Sequence, residues 1–164
     1  MACKGIICID VCAAASDGQP REFELTDSYF RGLDQESMSG GHLHVVARVK
    51  EDHHQVFHVT YAVAGQVTVA CDRCLEDLSL DVNLEEEVLV SQFVDGGDDR
   101  EEVYCLEVGE TLFDLGWEIY EAVELSLPLK RVHPDGGCDP DMVGRLSGVV
   151  DGDIEIESDG NLGA

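Results

Sequence analysis

Cys71-Asp72-Arg73-Cys74 sets two thiols at C-x-x-C spacing, so one tight turn can aim both sulfurs at a single metal ion. Much later the chain reads His133-Pro134-Asp135-Gly136-Gly137-Cys138, a loop whose glycines let it fold two more donors inward. Together these residues form a candidate tetrahedral Cys3His site for zinc, with Cys71, Cys74, His133 and Cys138 as ligands. One ion would then tie the middle of the sequence to its C-terminal region. Two other uses of Cys71 and Cys74 stay open: reduced thiols with no ion, or a thiol redox or metal-dependent enzyme. A redox C-x-x-C opens a helix after a strand, so that the helix dipole lowers the first thiol's pKa. Here Leu78-Ser79-Leu80-Asp81-Val82 follows, an alternating strand pattern that argues against that use.

Residues 42–93 are strand-like throughout. Val67, Val69 and Cys71 alternate toward the C-x-x-C, and Leu78, Leu80, Val82 and Leu84 alternate with polar residues, which is the period of a half-buried strand. Val88, Val90 and Phe93 continue this with what reads as a slip, the mark of a bulge. Residues 6–13 are expected to form a first strand and residues 21–25 a second, followed by a helical turn behind Thr26-Asp27-Ser28. After an acidic loop at 95–102, expected to be mobile, the period changes. Leu112, Leu115, Ile119, Ala122 and Val123 fall at helical spacing, predicting a helix over 112–125 that Pro128 stops. Asp139-Pro140 opens a last helix with Met142 and Leu146 facing inward. The expected fold is therefore α+β: an antiparallel β meander or small barrel with two C-terminal helices. Residues 1–146 form one domain, and 147–164 an acidic, disordered tail.

The chain has 164 residues and 44% hydrophobic composition, which suits a globular domain. Its formal net charge is −25 and its pI about 4.2. Such a body repels phosphate backbones at long range, disfavouring direct nucleic-acid contact, and it attracts basic proteins. No apolar run approaches the roughly 18 residues of a membrane span, and Asp10 interrupts the only stretch that imitates a signal peptide. Cys3, Cys8 and Cys12 are expected to be reduced thiols filling the core of a cytoplasmic protein, and Cys105 another core residue. His42 and His44 share a strand face, as do His54 and His58, with no carboxylate obviously placed to complete a metal site. They read as surface or half-buried polar positions. No catalytic residues are expected: the sequence contains no G-x-S-x-G, Gly-rich phosphate loop or H-E-x-x-H. Arg73, Lys130 and Arg131 form one small basic cluster, expected to offset thiolate charge.

The run Gly65-Gln66-Val67-Thr68-Val69-Ala70-Cys71-Asp72-Arg73-Cys74-Leu75-Glu76, then Ile119-Tyr120-Glu121, then residues 125–135 and Cys138-Asp139-Pro140-Asp141-Met142 resemble the YceD family, the large-subunit ribosomal RNA accumulation proteins. The Cys-Asp-Arg-Cys-Leu block and the Leu-Pro-Leu-Lys segment before a late Cys carry the resemblance, which runs from about residue 23 to 146. The His-Pro-Asp variant is similar to a Bacteroidetes-type branch. Many family members carry further late cysteines where this chain has His133 and Cys138. The resemblance implies a non-enzymatic, cytoplasmic factor supporting 23S rRNA accumulation and ribosome biogenesis. The gene neighbourhood common in that family implies a basic large-subunit ribosomal protein, or a pre-ribosomal particle, as partner.

Overall fold

The computed structural model describes residues 6–52, 55–92 and 103–150, with side chains described as far as residue 148. The loop expected at 95–102, Phe93, His53, His54 and the tail beyond residue 150 lie outside the described residues.

Three long strands dominate: β3 (Gly40–Glu51), β4 (Val56–Ala70) and β5 (Asp77–Ser91). They follow β1 (Cys8–Asp10), α1 (Val11–Asp17), β2 (Arg21–Leu25) and α2 (Asp27–Gly32). After them come β6 (Val103–Cys105), β7 (Leu112–Asp114), α3 (Leu115–Ser126) and α4 (Pro140–Val150). The main sheet runs in the order β2-β3-β4-β5-β6 and is antiparallel except for the parallel β5–β6 pair. It is open at both edges, so the meander is found and the closed barrel is not. β1 and β7 form a separate two-stranded sheet.

Strand alternation decides which face is dry. Val45, Ala47 and Val49 of β3 point inward with Val59, Tyr61, Val63, Val67 and Val69 of β4 and Val82, Val88 and Val90 of β5. This face packs against Val11 and Ala14 of α1, Tyr29 and Phe30 of α2, and Leu115, Ile119 and Val123 of α3. Burying each such side chain contributes roughly 1.5–3 kcal/mol. Tyr61, near the middle, gives its hydroxyl a partner by donating to Glu118 Oε1 at 3.1 Å. The opposite face of the sheet is left to solvent.

Four details differ from the expectations. The first strand stops at Asp10, whose carboxylate accepts from Ala13 N at 2.9 Å and caps a helix. The alanines that follow favour helix, and a short apolar run alone cannot distinguish the two states. The helix expected from residue 112 begins at Leu115, behind an Asp114 cap, and Leu112–Asp114 pair with β1 instead. The pairing of β4 with β5 runs unbroken from Ala70–Asp77 to Val56–Ser91, with no bulge. Val88 and Val90 keep the parity of Leu78 and Leu84; exposed Glu86 occupies the inward parity between them and imitates a slip. Finally, Leu146, expected to face inward with Met142, is 47% exposed, while Met142 packs on the core.

Gly65 sits at φ 149° opposite Leu43 and Val82, where a Cβ would run into the His42 carbonyl oxygen. Neither the torsion nor the space admits a side chain. Gly65→Ala is expected to destabilise the domain by about 2 kcal/mol or more, seen as a lower urea midpoint with an unchanged slope.

Candidate metal centre

β4 delivers Cys71 directly after Ala70, and the chain turns back into β5 at Asp77. The turn is closed by Cys71 N donating to Glu76 O and Leu75 N donating to Cys71 O, each at 2.9 Å. Leu75 takes the left-handed conformation, φ 64°, to make this closure. Both sulfurs therefore point to one side of the hairpin end, and Cys71 and Cys74 are fully buried.

The second half of the site is held against this turn from outside. Asp72 N donates to Arg131 O, and Arg131 N donates to Asp72 Oδ2, each at 2.7 Å. The Arg131 guanidinium reaches back to Glu124 Oε1 of α3 at 2.8 Å. Arg131 is therefore spent on α3 and on positioning the loop, not on the sulfurs as the basic cluster suggested. Beyond it, Gly137 N donates to Pro134 O with Gly136 at φ 81°, a turn that brings His133 and Cys138 onto the same side.

The four sequence-predicted ligands converge. Cys71 Sγ lies 3.8 Å from Cys138 Sγ, and His133 Nδ1 lies 3.4 Å from Cys74 Sγ and 3.8 Å from Cys138 Sγ. All four donor atoms fall within 4.8 Å of one another. Metal–sulfur bonds of about 2.3 Å at tetrahedral angles put sulfurs about 3.8 Å apart, so the cluster has the dimensions of a coordination shell. His133 Nε2–H donates to the Asp77 carbonyl at 2.9 Å, which leaves the Nδ1 lone pair facing the sulfurs. This is the outer contact that metal-bound imidazoles characteristically make. The group can hold a metal ion.

In the metal-free site the electrostatics favour the ligating form at Cys71 and oppose it at His133 and Cys138. Burial works against ionising Cys71, but hydrogen bonds from the Cys74 and Arg73 backbone outweigh it and bring the thiol down to about 6. The Asp77 carbonyl raises His133 against the opposing effect of burial, and the sulfurs of Cys71 and Cys74 add to the rise. Burial first, then Cys71 and Cys74, pushes Cys138 up. Cys71 thus holds its thiolate readily, and Cys138 beside it resists ionising.

The remaining candidates are scattered. Cys105 is exposed on β6, not in the core. Cys12 is a free, half-buried thiol, while Cys8 is disulfide-bonded, against the expectation of a reduced thiol. His42 Nε2 and His44 Nδ1 each lie 2.7 Å from one oxygen of Glu24 on the adjacent strand, so a carboxylate does stand beside them. His58 lies between Glu87 and Asp52. Sequence reasoning missed Asp72 and the Asp77 carbonyl as supports. Asp72 was legible only as a residue within the C-x-x-C, and a backbone carbonyl carries no sequence signal.

Purified protein is expected to bind one metal ion per chain. Cys71→Ser and Cys138→Ser are each expected to weaken that binding well beyond the roughly 10–100-fold typical of losing a supporting contact, as read by competition with a chromogenic chelator. A second expectation concerns the metal-free protein. Cys71 ionises near 6 when folded, against an ordinary 9.0. The stability its thiolate supplies is therefore complete above pH 9 and is lost as pH falls through about 6. Thiolate absorbance should show that low midpoint, and the urea midpoint should fall as pH drops from 9 to 6, with both effects absent in Cys71→Ser.

Among known proteins, the family model for YceD, the large ribosomal RNA subunit accumulation protein, matches residues 59–159, well over half the chain. No curated protein and no solved structure matches it. The matched span begins within β4 and takes in the C-x-x-C hairpin, α3 and the His133–Cys138 loop, the same segments that build the donor cluster. The chain belongs to the YceD family of large ribosomal RNA subunit accumulation proteins.

Proposed function

We propose that this protein is a non-enzymatic, cytoplasmic factor that supports 23S rRNA accumulation by binding a basic large-subunit ribosomal protein or a pre-ribosomal particle, and that Cys71, Cys74, His133 and Cys138 hold a structural zinc ion. One observation carries the structural role: the chain supplies four donors and buries both early sulfurs, which leaves no open position for a substrate. Three thiolates and a neutral imidazole suit zinc. They leave a net charge near −1 around Zn2+, which Arg73 and Lys130, without ion pairs among the described residues, can offset. The ion clips the loop leading to α4 onto the end of the β4–β5 hairpin. The net charge of −25 favours a basic protein partner over naked rRNA. No helix among the described residues is long and apolar enough to cross a membrane.

The low pKa of Cys71 also suits a second reading, a thiol redox enzyme. Against it stand the full burial of both thiols and a motif placed between two strands instead of at a helix N-terminus. Depletion of the protein is expected to reduce the large-subunit peak on sucrose gradients, with Cys71→Ser failing to restore it as fully as wild type. An unchanged peak removes the assembly role. Rapid disulfide exchange by zinc-loaded protein would transfer the case to the redox reading.

A further inference from the structure

The solvent face of the main sheet carries an ordered charge pattern that the core does not require. Outward positions along β5 are Asp77, Ser79, Asp81, Asn83, Glu85 and Glu87, all exposed. Alternate residues of a strand stand about 6.8 Å apart, so the row extends about 34 Å. Beside it, β4 presents Ala62 and Ala64, exposed and small, between Thr60 and Gln66, which leaves a shallow floor along the row. Gln66 donates to Asp81 Oδ1 at 2.7 Å, and Glu87 is approached by His58 and Thr60 at 3.3 and 3.4 Å. Asp77 and Glu85 have no side-chain partner among the described residues. Two cations, Arg48 and Lys50, lie on β3 across from the Glu87 end, and Arg73 stands in the turn before Asp77, so the Asp81–Glu85 stretch between them is the more negative.

We propose that this sheet face docks an extended, Lys/Arg-rich polypeptide laid along the outer row of β5. The inference deepens the assembly-factor reading and rests on it for the identity of the partner class. An extended chain repeats its same-side residues at the pitch of the row, whereas a helix repeats every 5.4 Å and drifts out of register. The small β4 floor lets such a segment approach the carboxylates closely. Charge complementarity supplies attraction that is strongest at low salt.

The test uses the full-length, zinc-loaded protein and a fluorescent ten-residue peptide of alternating Lys and Thr, with anisotropy read at low and moderate salt. The triple variant Asp81→Asn/Glu85→Gln/Glu87→Gln is compared with Asp34→Asn/Glu36→Gln/Glu121→Gln, which removes the same charge from exposed positions off the face. The face variant is expected to weaken binding roughly ten-fold or more, and the control less than about two-fold. Equal losses would mean that bulk charge alone attracts the peptide, and would overturn the proposal. So would a change of oligomeric state in the face variant with peptide affinity retained, which would mark the face as a contact between copies. If docking is confirmed while depletion leaves the large-subunit peak unchanged, the assembly reading fails and the surface stands.

Discussion

The antiparallel ladder between Val56–Ala70 and Asp77–Ser91 is the constraint on which the rest depends. Both strands are fifteen residues long and pair without interruption. Because side chains alternate strictly, this register sets which residues enter the core, which face solvent, and where the hairpin turns. A slip of one residue would exchange Val67 and Val69 for Thr68 and Ala70 on the dry face. The same register places Cys71 and Cys74 at the hairpin's end, so the geometry of the donor cluster follows from the packing of the sheet.

The distant half reaches that end through ordinary contacts. Asp72 and Arg131 exchange two hydrogen bonds, Arg131 is anchored to Glu124, and His133 is held by the Asp77 carbonyl. Cys74 and His133 are 59 positions apart. The entropy of closing so long a loop is met largely by α3, whose Leu115, Ile119 and Val123 are buried against the sheet. An ion at the centre would add to a framework that already brings its donors together.

Much of this was legible in the sequence. The four donors were named by residue type and spacing, and the three long strands by period. What escaped has physical causes. Residues 8–17 carry an apolar run too short for its period to separate strand from helix, and the deciding element was one capping carboxylate at Asp10. Leu112 fits the helical spacing of α3 but belongs to a strand, because β1 offered it a partner that lies a hundred residues away in sequence. Glu86 disguised a continuous strand as an interrupted one. Asp72 looked like a spacer between two cysteines, and only the three-dimensional approach of residue 131 gave it a task.

The reciprocal bonds between Asp72 and Arg131 set this cluster apart from the site of a small zinc-dependent module. In small zinc-dependent modules the ion is the nucleus, and nothing ordered precedes it. Here main-chain pairing and a buried sheet hold the four donors together through contacts that involve no ion. An ion entering this cluster would therefore meet a receptor whose shape the protein's own hydrogen bonds and buried sheet already supply.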